Sequence, residues 1–484
     1  MSTCDTLIRN AGVLDGSGAD AEILDIAVRG DTIAAIGPAL PLRANQVVDA
    51  EGLVLAPGFL DVHTHDDLAV IRDPEMRAKI SQGVTTVIVG NCGISSAAVR
   101  LCGELPDPMN LLGRAEEFQY PSFAAYTEAI RAAQPAVNVA ALAGHTALRN
   151  NHMDRLDRAA THSEIAAMRA QLQECLDGGA LGLSTGLAYL SAYSASFEEV
   201  LELAKPLTAV GAVYATHLRT EGHAILDAMQ EAFAIGRQSK VPVIISHLKC
   251  AGIDNWGRSS EILRAFDEAR TTQRAGCDCY PYAASSSTLD LRQVDERVEI
   301  TITWSTPHPE RSGQSLAQIA AAWSIPQLEA ARRLQPAGAI YHSMSEEDMR
   351  RILSHPATMI GSDGLPCDPM PHPRLWGTFP RVLGRYCRDE KLLPLPEAVR
   401  KMTALPAQRF GLENRGLIRE GCFADLVLFD PNSVQDTATF SDSMRVAAGI
   451  AAVWVNGVLS YSAEESVRQR AGRFLRRGKS TWVQ

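Results

Sequence analysis

At 484 residues the chain exceeds what one hydrophobic core usually organises, so one large domain plus a smaller one is expected. A hydrophobic fraction of 46% suits a globular protein, and a formal net charge of -10 with a pI of 5.7 argues against a nucleic-acid or anionic-membrane partner, favouring a small molecule. No run reaches the length of a membrane span, the N-terminus lacks a signal-peptide layout, and the 10 cysteines lie scattered in apolar segments instead of forming a disulfide framework, which points to the cytoplasm.

Residues 5 to 57 read as short strands and turns: Thr6-Leu-Ile-Arg-Asn, Ile26-Ala-Val-Arg before Gly30-Asp31, Ile33-Ala-Ala-Ile-Gly, and a β-rich run from Val47 to Leu55. Gly-Asp and Glu-Gly steps between such runs are hairpin signals. The segment has too little apolar surface to fold alone. After Pro57, apolar strand-like runs alternate with amphipathic helical stretches; the runs span 59 to 65, 84 to 91, 137 to 144, 180 to 185, 212 to 217, 242 to 248, 275 to 282 and 356 to 363. Thr161 with Glu164 opens a helix that closes at Gly178-Gly179, and Ser196 with Glu199 opens another through the same capping pattern.

These alternations of apolar strands and helices argue for an α/β fold closed into a (β/α)8 TIM-like barrel. An open doubly wound sheet competes less well, because no glycine-rich phosphate loop follows the first strand. Residues 284 to 342 interrupt the rhythm with Ser285-Ser-Ser-Thr, a strand-like Val298 to Trp304 and a helical piece. They read as an insertion after the seventh strand, over the active face. A last helix opens at Pro396 and ends at Gly411. From Gly416 β signals return in Ala424 to Asp430 and Val453 to Ser460, with Asn456-Gly457 as a two-residue hairpin turn. Residues 1-57 plus 412-484 are therefore expected to build one small β-sandwich beside a barrel of residues 58-411.

In a parallel barrel the C-terminal strand ends converge on one mouth. Those ends carry His63 and His65, Cys92, His217, His247 and Asp363. Each alone has a plain structural reading, since a strand-end histidine is commonly a hydrogen-bonded core residue and a lone cysteine is core. Their convergence is the signal. Cys92, His217 and His247 suit a zinc ion with a fourth position open, and His63, His65 and Asp363 suit a second, weaker site. Zinc lowers the pKa of water to about 7 and polarises a carbonyl, as amide hydrolysis requires. Asp363 is then the proton carrier, although Gly361-Ser-Asp-Gly also reads as a turn and cap.

Gly90-Asn-Cys-Gly93, Leu183-Ser-Thr-Gly-Leu187, Ser246-His-Leu-Lys249, Tyr280-Pro-Tyr282, Gly361-Ser-Asp-Gly364, His372-Pro-Arg374 and Gly377-Thr-Phe379, taken with the strand-end ligands, resemble the amidohydrolase superfamily. Within it the chain is similar to the N-acyl-D-amino-acid deacylases, or D-aminoacylases, over nearly its whole length. The resemblance implies zinc-dependent hydrolysis of N-acyl-D-amino acids to a carboxylate and the free D-amino acid, with Cys92, His217 and His247 as the tightly held site. Strand four ends in Leu183-Ser184-Thr185 and offers no lysine to carboxylate, which disfavours a hydantoinase- or dihydroorotase-like cyclic-amide hydrolase. Such a cyclic-amide hydrolase is still the main rival reading, and a non-catalytic scaffold of the same fold is the other.

Arg374 is expected to grip the substrate α-carboxylate, with Tyr189, Tyr282 and Ser286 adding to that hold. Lys249 is expected to bind a substrate carboxylate or the acyl carbonyl. His145 is read as a loop buttress before an oxyanion contact. The chain departs from the family after Tyr189, where Leu190-Ser191 replaces a proline-glycine turn, and after Thr288, where it reads Leu289-Asp-Leu-Arg292-Gln-Val. Arg292 would supply a positive charge for an acidic side chain, which points to N-acyl-D-glutamate over the leucine or methionine derivatives.

Overall fold

A computed structural model describes residues 3–101, 103–478 and 482. Parallel strands with helices between them make up its centre. They are Phe59–Asp61 (β1), Val84–Val89 (β2), Asn138–Ala141 continued by Ala143–Gly144 (β3), Gly182–Gly186 (β4), Val213–His217 (β5), Val243–Ile245 (β6), Ala275–Cys279 (β7) and Thr358–Ile360 (β8). Every strand pairs in parallel with the next in this order, from Phe59 opposite Val84 to Cys279 opposite Ile360. A parallel bridge between Thr64 and Gly364 then joins the chain beyond β8 to the chain beyond β1. His65 N donates to Gly364 O at 3.0 Å and Asp363 N to His63 O at 2.7 Å across that seam.

The strands are buried along almost their whole length, which explains why they read as unbroken apolar runs and not as alternating ones. Leu60, Ile88, Leu142, Leu181, Ile244 and Met359 form a common core with Leu475 and Trp482 of the C-terminal segment. That segment runs past the start of β3 and β4: Leu475 N donates to Val139 O at 2.7 Å, and Arg477 N to Gly179 O at 2.9 Å.

Capping chemistry sets the helix starts. Thr161 and Glu164 form the full box before His162–Asp177. Ser196 accepts from Glu199 N before Phe197–Ala204, but the Glu199 carboxylate turns inward to Arg149 and His145, so this box is only half made. The single helix expected from Pro396 is two, Leu395–Met402 and Ala404–Phe410. Thr403 breaks it with φ -134° and ψ -87°, its hydroxyl turned back to Val399 O.

Between β7 and β8, strands Ser285–Thr288, Ile300–Ser305 and Ala337–Tyr341 form an antiparallel sheet under helices Leu316–Trp323 and Gln327–Leu334. Leu289, Val298, Ile302, Leu316, Leu334 and Tyr341 give it a core of its own. The chain's two ends meet in a 9-stranded sheet, where Val54–Pro57 runs antiparallel to Leu426–Phe429. The run expected from Val47 to Leu55 divides at Gly52, whose φ of 80° makes a turn between Arg43–Asp49 and Val54–Pro57. Asn456 and Gly457, with φ of 49° and 80°, make the predicted hairpin turn. Among the described residues no helix is long and apolar enough to cross a membrane.

Candidate metal centre

The predicted strand-end residues gather at one end of the parallel strands. His63 and His65 follow β1, Cys92 follows β2, His217 closes β5, His247 follows β6 and Asp363 follows β8. Cys92, His247 and Asp363 all have left-handed backbone, with φ of 52°, 36° and 49°, a conformation that non-glycine residues rarely adopt. Each strand ends abruptly there, and the turn aims the side chain across the mouth.

Cys92 Sγ lies 3.2 Å from both His63 Nε2 and His247 Nε2. Asp363 Oδ1 is 3.5 Å from His63 Nε2 and 3.2 Å from His65 Nε2. One ligand atom from each of His63, Cys92, His247 and Asp363 lies within 4.8 Å of the others, and His217, Glu221 and His247 form a second such group. The His217 ring meets the His247 ring edge-on at 4.5 Å. The two expected ligand sets are therefore one continuous cluster, in which His63 and Asp363 stand beside Cys92.

Burial opposes ionisation of the Cys92 thiol, but His63 and His247 outweigh it and hold its pKa well below the ordinary value. Burial likewise opposes the Asp363 carboxylate, and Arg374, His247 and His63 together keep it ionised well below the usual range. Nδ1 of His217 and Nδ1 of His65 are buried without a hydrogen-bond partner. The Nε2 atoms of His63, His65 and His247 converging on a thiol and a carboxylate are a donor set that fits zinc.

Residues that the sequence did not single out hold the cluster in place. Asp278, on β7, reaches His63 Nδ1 at 3.3 Å and accepts from His247 N at 3.0 Å. Glu221 Oε1 lies 2.9 Å from His247 Nδ1, which leaves Nε2 facing Cys92. Buried Lys79 bonds Asp61 Oδ2 at 2.8 Å and Ser362 Oγ at 2.7 Å, locking the seam between β1 and β8. A carboxylate four residues beyond His217 was a readable signal; Asp278, set between two cysteines of a buried strand, was not.

A cavity of about 710 Å³ opens over the cluster, and Tyr189, Lys249, Tyr280, Ser286 and Arg292 line it with His247 and Asp363. Tyr189 packs its ring 4.9 Å from that of His217. Lys249 Nζ is engaged by Glu221 and His247 Nδ1. Two residues expected to touch the substrate stand at the edge of this cavity. Arg374 is buried behind the cavity wall: its Nη1 pairs with Asp363 Oδ2 at 3.0 Å, its Nη2 donates to Ser286 O at 3.0 Å, and its guanidinium stacks 4.5 Å over Tyr280. Tyr282 faces away, its ring between His372 at 5.1 Å and Arg381 at 4.5 Å, because β7 ends at Cys279 and strand alternation no longer holds. Tyr280 occupies the cavity in its stead. His145 is a buttress, bonding Glu199 at 2.9 Å within the core. Ser184 of β4 accepts from Gly93 N beyond β2 and Thr185 donates to Thr216 of β5, and β4 ends without a lysine.

Parallel strands that end in buried imidazole, thiolate and carboxylate groups beneath a cavity define a mixed α/β protein with a metal-binding mouth. The chain belongs to the amidohydrolase family, whose sequence profile matches residues 46–461. It is 49% identical to the D-aminoacylase of Alcaligenes xylosoxydans xylosoxydans over 98% of each chain. It is 47% identical to the N-acyl-D-aspartate deacylase of that organism, over 99% of this chain and 97% of the other. To its N-acyl-D-glutamate deacylase it is 45% identical, over 98% and 97%. A solved D-aminoacylase superimposes with a TM-score of 0.96 at 48% identity, covering 98% of this chain and 100% of that one. An N-acyl-D-glutamate deacylase from Bordetella bronchiseptica, in complex with zinc and a phosphonate mimic of the tetrahedral intermediate, does so with a TM-score of 0.94 at 44% identity over the same shares.

Proposed function

We propose that this chain hydrolyses the amide bond of N-acyl-D-amino acids, releasing a carboxylate and the free D-amino acid. The observation that carries it is the gathering of His63, Cys92, His247 and Asp363 within 4.8 Å, in a chain 45% to 49% identical to three deacylases of this class over almost its full length. In this reading residues 58–411 form a (β/α)8 barrel with an insertion at 284–342, and residues 1–57 plus 412–484 form its β-sandwich companion. The Thr64 to Gly364 bridge supports closure of the barrel. The 9 free cysteines among the described residues accord with a reducing, cytoplasmic setting.

Cys92, His217 and His247 hold the principal zinc in this reading, and His63, His65 and Asp363 a weaker second one. Zinc supplies a Lewis acid that polarises the amide carbonyl and makes water acidic near neutrality. Asp363 takes a proton from the attacking water and returns it to the departing amine nitrogen. Arg374, paired with Asp363 Oδ2, keeps the other carboxylate oxygen aimed at the cluster. Tyr189, Lys249 and Ser286 hold the substrate's polar groups, and Arg292 faces its side chain, favouring glutamate. Zinc-loaded protein is expected to hydrolyse N-acetyl-D-glutamate and N-acetyl-D-methionine, to spare their L enantiomers and a hydantoin, and to lose activity to a chelator. Cleavage of the hydantoin without cleavage of either D substrate would overturn the reading.

A further inference from the structure

Arg292 is not a free cation. Its Nε lies 3.0 Å from both carboxylate oxygens of Asp290, and its Nη2 lies 2.7 Å from Oδ2. The same Nη2 donates to Ala188 O at 3.0 Å, and the guanidinium stands 5.6 Å over the Tyr193 ring. A guanidinium fork closed on a carboxylate is also the geometry in which arginine would recognise an acidic ligand. The chain thus presents its own carboxylate where a substrate carboxylate would go.

Asp290 does not reach this position by chance rotation. Its backbone N donates to Tyr341 Oη at 2.8 Å, and Tyr341 is itself buried and donates to Thr288 O at 2.9 Å. Gln335 fixes the preceding carbonyl, Leu289 O, at 2.7 Å. Asp290 also caps the short turn Leu291–Gln293, accepting from Arg292 N at 2.8 Å. The Asp290 side chain is 21% exposed and that of Arg292 48%, so the pair lies at the cavity wall within reach of a ligand. Asp107 lines the same cavity and adds a second negative group nearby.

We infer that Asp290 is a specificity-determining residue that competes with an acidic substrate side chain for the Arg292 guanidinium. The inference rests on the proposed deacylase activity and on Arg292 facing the substrate side chain. An acidic substrate must displace Asp290 before Arg292 can bind it, whereas a neutral side chain leaves the pair closed. The competition acts on binding, so it appears in KM.

The test is the ratio of kcat/KM for N-acetyl-D-glutamate to that for N-acetyl-D-methionine. Asp290→Asn keeps an oxygen to cap Arg292 N while removing the charge, and is expected to raise the ratio about tenfold, mainly through a lower KM for the glutamate substrate. Asp290→Ala should move the ratio the same way; a folding defect would depress both substrates together and leave the ratio alone. Arg292→Ala should lower the ratio, and Arg292→Ala with Asp290→Asn should match Arg292→Ala alone. If Arg292→Ala lowers the ratio while both Asp290 variants leave it unchanged or lower it, the competition is refuted and the placement of Arg292 stands. If Arg292→Ala leaves the ratio unchanged, the placement of Arg292 falls and the inference with it, while D-selective hydrolysis still upholds the deacylase reading.

Discussion

Asp363 is held from two sides, by Arg374 Nη1 at 3.0 Å and by His65 Nε2 at 3.2 Å. An amide in its place keeps the shape and an oxygen for the cluster but cannot take up a proton. Asp363→Asn is therefore expected to retain zinc, measured by elemental analysis, and to lose about a hundredfold or more in kcat. Substantial turnover would mean that another group moves the proton. Glu199 is a structural counterpart, buried against Arg149 and His145. Burial works against its ionisation, yet His145 and Arg149 bring its pKa down to about 2. A carboxylate lowered in this way stabilises the fold fully above its unfolded pKa of about 4.3, and the contribution is lost as pH falls from there through the folded value. Glu199→Gln, which leaves Arg149 charged and unpaired, should cost about 3–5 kcal/mol near neutrality, with the difference in melting temperature from the unaltered protein shrinking as pH falls below about 4. The strand-end cluster was legible because imidazole, thiol and carboxylate groups are conspicuous at the close of apolar runs. The pairing of Arg374 with Asp363 and the packing of Tyr282 against His372 were not legible, because direction beyond a strand end depends on turns that spacing does not encode.

Element by element, the strands and the boxed helix at Thr161 were readable, since period and caps are local properties. Strand lengths were not: β1, β6 and β8 stop three or four residues short of the expected ends, where left-handed or bridging residues turn the chain toward the cavity. These turns need close backbone packing. A methyl group at Gly186, the last residue of β4, would overlap the Cys92 carbonyl oxygen. Gly186→Ala is accordingly expected to destabilise the protein by about 1–3 kcal/mol and to weaken zinc retention during dialysis against a mild chelator. Normal retention would show that the loop bearing Cys92 can shift without moving its sulfur. The break at Thr403 had a signal in Pro406, which lacks the backbone N–H that would continue the helix ladder to Met402.

For the whole molecule, the two ends of the chain were readable as partners because both are β-rich and neither has enough apolar surface alone. The course of the C-terminal segment was not, for residues 471–478 carry neither strand nor helix period. Yet Leu475 and Trp482 join the core beneath the parallel strands, and Trp482 stacks 5.3 Å from Arg409. Deleting residues 471–484 should lower the urea midpoint by an amount equivalent to about 3 kcal/mol or more, as expected for removing large apolar side chains from a core. An unchanged midpoint would assign that core to the strands alone.

The seam between β1 and β8 also bears on how the protein is made. His65 and Asp363 are 298 residues apart in the chain and meet only across that seam. A polypeptide emerging from the ribosome carries its imidazoles long before this carboxylate, so if Asp363 moves the proton as proposed, copies cut short of it are expected to lack amide-cleaving activity. Activity would then report that the chain beyond β8 has come back beside the chain beyond β1.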